Sequence, residues 1–292
     1  MDIKTRDLRR DFGKVQALRG VDLTITGGMF GLLGANGAGK TTLMRILAGV
    51  IPATSGQAIV GGHDLSTREG RVAVKRRLGY LPQDLGLYPD LTPREFLDYI
   101  GILKGLDDTA ARRRQITDLL DMVGLTDVAG RKLKGFSGGM RRRVGIAQAL
   151  LGDPALLIVD EPTAGLDPEE RIRFRTLLSS LAGTRTVLLS THVVEDVAQT
   201  CRETAVMAAG RIVFTGPVAD LVSAADGVTW EVTTAGPAPA HGVVVSAVSR
   251  ADGTRYRVVS AERPAPDAVP VAPTLEEGYV ALMRRLSPAA TP

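Results

Sequence analysis

The stretch Gly34-Ala35-Asn36-Gly37-Ala38-Gly39-Lys40-Thr41-Thr42 reads GANGAGKTT, and the fold turns on how it is read. It fits the pattern G-x-x-x-x-G-K-[ST]. Directly before it lies MFGLL, a run apolar enough for a buried strand. Directly after its lysine comes TTLMRILAGV, with apolar residues at helical spacing. Small residues between a strand and a helix let backbone N–H groups wrap a phosphate chain, and the helix N-terminus adds a favourable dipole. In such a loop Lys40 reaches the β- and γ-phosphates, and Thr41 offers its hydroxyl to Mg²⁺. The alternative is a glycine-rich turn that binds nothing. The strand and helix on either side weigh against it.

Outward from this loop, ALLIVD (155–160) and TVLLS (186–190) are also apolar without alternation. Strands buried on both faces look like this, and parallel sheets contain them. The sequence predicts strands at about 2–8, 21–25, 29–33, 56–60, 155–159, 186–190, 204–209 and 211–215. It predicts helices at about 40–50, 92–103, 109–123, 138–152, 169–182 and 193–200. Their alternation implies an α/β fold. Residues 84–152 break it, being almost wholly helical, and read as a helical subdomain inserted into the core. After Gly216-Pro217 come Pro/Ala-rich pieces, AGPAPAHG and AERPAPDAVPVAP. Between them VVVSAV and TRYRVV read as strands. Thr274-Leu275-Glu276-Glu277 has the form of a capping box, and Leu275, Tyr279, Leu282, Met283 and Leu286 then mark one apolar helix face. The expected organisation is one domain over 1–220 and a small second domain over 221–292.

Composition narrows the function. The 292 residues carry a net charge of +4 with no long basic block, and aromatics are 4%, so no nucleic-acid partner is expected. With one cysteine, Cys201, no disulfide forms within the chain, which fits a reducing cytosol. MDIKTRDLRR has no apolar core of a secretory signal, and no apolar run approaches the ~20 residues that span a bilayer. Any membrane role is therefore expected to come through a partner.

Two further sites join the loop. ALLIVD ends in Asp160, and Glu161 follows. Adjacent strand residues point opposite ways, so one can face a metal and the other the attacking water. Ser190-Thr191-His192 follows TVLLS, at the carboxyl edge where parallel sheets bind ligands. KGFSGGMRRR (134–143) reads alone as a serine N-cap before a helix. Arg141, Arg142 and Arg143 are read as surface and salt-bridge residues, not phosphate ligands. His63 and His241 read as loop residues.

In this order GANGAGKTT, FSGGM, LLIVDEPTAGLD and STH resemble the ATP-binding subunits of ABC transporters, over about residues 3–220. The resemblance implies a P-loop NTPase core with a mixed sheet, an antiparallel β subdomain, the helical subdomain and a small C-terminal α+β extension. It implies ATP and Mg²⁺ as ligands. Gly34, Asn36, Gly37, Ala38, Gly39, Lys40, Thr41 and Thr42 become the Walker A loop, and Phe12 the aromatic that stacks on adenine. Ser137, Gly138 and Gly139 become the signature motif. Thr41, Gln83 and Asp160 are assigned to the metal. Glu161 is the general base, His192 the switch histidine, and Lys40 and Gln83 act in catalysis. Ala164-Gly165-Leu166-Asp167 resembles the D-loop. Two positions depart from the usual pattern: Met140 stands where glutamine is common, and Phe12 where tyrosine is.

The family pairs two ATP-binding subunits head to tail and couples them to a separate transmembrane permease, on the cytoplasmic face of the membrane. GLYPDLTPREFLDYIGILKGL and APTLEEGYVALM are similar to the branch serving drug and antibiotic exporters. Leu85, Leu87 and Tyr88 either meet the permease or pack within the helical subdomain. A soluble ABC-type ATPase without a permease is the rival reading. A GTPase is disfavoured, because no Asn-Lys-x-Asp motif is present.

Overall fold

The computed structural model describes residues 1–163, 166–183 and 185–286. They fold into two compact units. The first takes in Met1–His192 and Thr204–Thr215. The second takes in Val193–Glu203 and the chain from Gly216 onward.

The first unit opens with β1 (Ile3–Phe12) and β2 (Val15–Ile25), an antiparallel hairpin, then β3 (Met29–Leu33) and α1 (Lys40–Leu47). β4 (Ser55–Val60) and β5 (His63–Asp64) complete an antiparallel sheet of order β2-β1-β4-β5. Next come α2 (Arg68–Arg77), β6 (Leu78–Leu81), α3 (Pro93–Leu103), α4 (Thr109–Met122), α5 (Gly138–Leu150), β7 (Leu156–Asp160), α6 (Pro168–Leu181) and β8 (Thr186–Thr191). After α7 (Val194–Thr200) of the second unit, β9 (Glu203–Ala208) and β10 (Arg211–Pro217) finish a six-stranded sheet of order β10-β9-β3-β8-β7-β6. β3, β8, β7 and β6 run parallel to their neighbours in this series. Every residue of β3, β7 and β8 is buried, as their unbroken apolar sequences predict. The α/β core with its antiparallel sheet and helical insertion is therefore as expected.

The core explains why the loop between β3 and α1 is held firmly. Phe30 and Leu32 of β3 pack in one cluster with Leu43, Met44, Ile46 and Leu47 of α1, and with Leu156, Ile158 and Leu188. Burying each such side chain contributes about 1.5–3 kcal/mol. Helix starts follow local chemistry. Thr92 and Glu95 form a reciprocal capping box with Pro93 in the first turn of α3, and Asp108 caps α4 through the N–H groups of Ala110 and Ala111. α5 lies against β6 at Gly79, where an added Cβ would stand 2.1 Å from the Ala149 carbonyl oxygen.

Several elements of the first unit differ from the sequence expectation. β1 and β2 are longer than the runs 2–8 and 21–25, because a bulge between Thr5 and Leu8, with Asp7 at φ 44°, breaks the alternation. α2 escapes the pattern because RVAVKRR carries little apolar signal; the Thr67 side chain starts it by accepting the Gly70 N–H. β6 has only four residues, LGYL, and follows that helix without a turn signal.

The second unit contains α7, α8 (Val218–Ser223), β11 (Thr229–Thr234), β12 (Val243–Arg250), β13 (Gly253–Val259), β14 (Val269–Pro270) and α9 (Leu275–Leu286), with sheet order β12-β13-β11-β14. The α+β character is as expected, although β11 is not among the predicted strands. At the start of α9 the Thr274 N–H and hydroxyl both donate to the Glu277 carboxylate, 2.6 and 2.5 Å. That same carboxylate accepts from Arg257 Nε at 2.6 Å. The buried face of α9 is centred on Leu275, Gly278 and Ala281 rather than on the predicted stripe, and Leu286 is exposed. Gly278 sets this rotation: a Cβ there would meet the Leu221 carbonyl at 2.1 Å.

Candidate functional site

The loop after β3 delivers Lys40 as the first residue of α1. Gly39, at φ 108°, makes that turn; a side chain there would be strained and would stand 2.6 Å from the Ala17 carbonyl oxygen. Gly39 has no side chain to cap the helix, so the first N–H groups of α1 are not satisfied by a cap. Gly34 and Ala38 are buried beneath the loop. Gly34 lies so close to the Met207 carbonyl that a Cβ would approach it to 2.5 Å. Lys40 is almost fully buried and donates to the Gly34 and Ala35 carbonyls at 2.6 and 3.2 Å. Its ammonium also lies 3.2 Å from Glu161 Oε1.

Glu161 follows directly on β7. Its backbone is left-handed, φ 49°, and its N–H donates to the Ser190 carbonyl of β8 at 2.9 Å. A non-glycine residue held there is strained. The strain turns the carboxylate toward the loop, where Oε2 lies 2.5 Å from His192 Nδ1. Glu161 thus bridges two partners that the sequence places at separate strand ends. A cavity of about 580 Å³ opens over this group, lined by Asn36, Gly37, Gly39, Lys40, Thr41 and Thr42, by Gln83 after β6, and by Glu161 and His192.

Asp160 is the last residue of β7. It is completely buried, and neither carboxylate oxygen has a hydrogen-bond partner. Burial raises its pKa; the nearby hydroxyls of Thr41 and Ser190 temper that rise without closing a hydrogen bond. Two orphaned carboxylate oxygens beside a threonine hydroxyl fit a hard divalent cation.

The other predicted residues lie elsewhere. Phe12, at the end of β1, is 46% exposed and is not part of the cavity wall, which is formed there by Val15, Gln16 and Ala17 of β2. The Arg10 guanidinium covers its ring at 4.6 Å. Ser137 is the N-cap of α5, and its hydroxyl accepts the Met140 N–H at 3.2 Å. Ser137 and Gly138 are exposed. Gly138 and Gly139 line two other cavities, not the one over Lys40. Of the D-loop residues, Ala164 and Gly165 lie outside the described residues; Asp167 caps α6 by accepting the Glu170 N–H at 2.8 Å.

Arg142 overturns one expectation. Arg141 is exposed and Arg143 is half-buried near Glu170, but Arg142 is buried and turned into the protein. Its Nε donates to the Pro162 carbonyl at 2.9 Å, and Nη1 to those of Pro82 and Gln83 at 3.2 and 2.9 Å. Nη2 donates to the carbonyls of Asp160 and Glu161 at 3.2 and 2.5 Å. It is no surface arginine. A signal was available: Arg142 falls on the same helical stripe as the buried Ile146, Ala149 and Leu150.

An ABC transporter family profile matches residues 18–164. The chain belongs to the ABC transporter ATP-binding family. It is 40% identical over 227 residues to an uncharacterized ABC transporter ATP-binding protein of Synechocystis, covering 76% of this chain and 62% of that one. It is 36% identical over 229 residues to the linearmycin resistance ATP-binding protein LnrL of Bacillus subtilis, covering 78% and 73%. Its fold matches the ATP-binding cassette MJ0796, solved as a dimer in a post-hydrolysis state with ADP and Pi. The TM-score is 0.68 at 25% identity, covering 74% of this chain and 98% of that one. The chain is thus an ABC-type ATPase cassette.

Proposed function

We propose that this cassette binds Mg-ATP over Lys40, closes it against the signature motif of a second copy, and uses the hydrolysis to drive a separate permease that exports a drug, an antibiotic or another hydrophobic compound. The carrying observation is the convergence of Lys40, Glu161 and His192 in one cavity from which Ser137, Gly138 and Gly139 are absent. A site with base, lysine and histidine but no signature motif is half a site, and a second chain packed head to tail supplies the rest.

In this reading Lys40 exchanges its contact with Glu161 for the β- and γ-phosphates, and the uncapped amides of α1 hold the phosphate chain. Glu161, released, accepts a proton from the attacking water, with His192 orienting it and the γ-phosphate end. Ser137 and the bare amides after it take up charge spreading on the equatorial oxygens. Thr41, Asp160 and Gln83 would hold Mg²⁺, which supplies charge neutralisation at the phosphates. Among the described residues no group of three or more His, Cys, Asp or Glu could hold a metal alone, so phosphate and water complete the set. Phe12 would serve adenine only after Arg10 leaves its face or shares it.

Among the described residues no helix is long and apolar enough to cross a membrane, and the reading assigns that task to a separate permease. Tyr88 and Tyr99 meet edge to face at 5.7 Å and are exposed, beside the exposed Ile102 and Leu103 of α3. They form an apolar surface close to the Gln83 loop, suited to a membrane partner. The relative named for linearmycin resistance supports export. The test is co-expression with any membrane protein that a neighbouring reading frame encodes. Expected are co-purification, ATP hydrolysis, and lower accumulation of a hydrophobic drug that is lost with Glu161→Gln. ATPase activity without any membrane partner would instead favour a soluble role.

A further inference from the structure

We infer that Arg142 is the positioning residue that aims Glu161, and that it ties the signature helix, the Gln83 loop and the end of β7 into one unit. This rests on the ATPase reading and deepens it. A guanidinium has five N–H donors in a fixed planar fork and no acceptor. Here five backbone carbonyls receive them, those of Pro82 and Gln83 on one side and of Asp160, Glu161 and Pro162 on the other. Three consecutive carbonyls that converge on one point repel one another unless a cation lies there. They converge because Glu161 is left-handed, and the same backbone twist sends its carboxylate toward Lys40 and His192. Arg142 therefore stabilises the strained conformation that makes Glu161 a usable base.

The guanidinium also sits one helical turn past the cap. Ser137 begins α5, and Arg142 projects from its second turn. A displacement of Ser137 along the helix axis is thus carried to the Gln83 and Glu161 backbones through the Arg142 side chain, which its hydrogen bonds hold in place. When the second copy's ATP engages Ser137, the movement reaches this copy's own base. Arg142 touches neither nucleotide nor water in this scheme.

The experiment compares Arg142→Lys, Arg142→Gln and Arg142→Ala with wild type in steady-state ATPase assays, with fluorescent-ATP binding and thermal unfolding of each. Misplacing a base by an ångström costs about 10²-fold in rate. The expected result is a kcat fall of about 100-fold in Arg142→Gln and about tenfold in Arg142→Lys. KM for ATP should stay within about threefold, since Lys40 and the loop are untouched. Millimolar guanidinium chloride should restore part of the kcat of Arg142→Ala. Adding Arg142→Gln to Glu161→Gln should cost nothing further. Wild-type kcat in Arg142→Lys or Arg142→Gln would overturn the assignment. So would a loss in the two variants that followed unfolding alone, with no guanidinium rescue and full additivity with Glu161→Gln. Should Arg142→Gln fail to fold, the lysine variant decides, because it keeps charge and stem. Absence of ATPase activity in the wild-type protein would instead refute the ATPase reading.

Discussion

Substituting Glu161 by glutamine tests the centre of the site, and its effects on binding and turnover should have opposite signs. In this structure the Lys40 ammonium lies 3.2 Å from Glu161 Oε1, with both side chains almost buried. A hydrogen bond to a charged group is worth about 1.5–3 kcal/mol. ATP must break this contact to recruit Lys40. It must also place a γ-phosphate near the carboxylate. Glutamine removes the competitor and the repulsion together, so ATP should bind about tenfold more tightly, corresponding to about 1.4 kcal/mol. The nucleotide-free variant should also be about 1.5–3 kcal/mol less stable to urea. Turnover should fall by about 10²–10⁴, the usual contribution of a general base. Titration with a fluorescent ATP analogue, phosphate release and urea unfolding read these three quantities separately. Turnover within tenfold of wild type, or ATP binding weaker than wild type, would refute the role given to Glu161.

Other consequences are open to measurement. Ser137→Ala and Lys40→Met should each abolish hydrolysis alone, while an equimolar mixture regains activity, because a mixed pair retains one site with both Lys40 and Ser137; no recovery would show that the two halves act within one chain. The lost cap in Ser137→Ala should also cost about 1 kcal/mol of stability. Gly79→Ala would press a methyl group against the Ala149 carbonyl at 2.1 Å and Leu157 at 2.5 Å, and should destabilise the first unit by about 3 kcal/mol in denaturant melts. In the second unit, burial alone would raise the Glu277 pKa, but the hydrogen bonds from Arg257 and Thr274 hold it below the usual glutamate value. A depressed folded pKa gives stability that is present above the ordinary value of about 4.5 and is lost as pH falls through the folded one. Thermal stability should therefore fall from about pH 5 downward in wild type, and Glu277→Gln should flatten that slope.

Much of this was legible in the sequence because it depends on local patterns. MFGLL, LLIVD and TVLLS carry enough apolar signal to mark buried strands, and the loop at 34–42 carries its chemistry in its spacing. The acids at the end of LLIVD were legible too, but the aim of Glu161 was not: it lies past the strand, and its left-handed backbone rather than the pleat sets it. What escaped has physical causes. β6 is too short to show a period, and β1 hides its period behind a bulge. The buried face of α9 is set by a carbonyl of Leu221, distant in sequence, approaching Gly278. Arg142 was misread because a charged residue beside two others looks solvated, and its partners are backbone carbonyls about 20 and 60 positions away, which no side-chain pattern announces.

Met140 stands where glutamine is usual, yet the Ser137 hydroxyl engages it only through its backbone N–H. The helix start is thus specified by one oxygen and two missing side chains, and it draws no information from the fifth letter of the motif. That position is free to drift without loss of the fold. Under the proposed pairing of two copies, a substitution there would reach the surroundings of the shared nucleotide without disturbing the helix start.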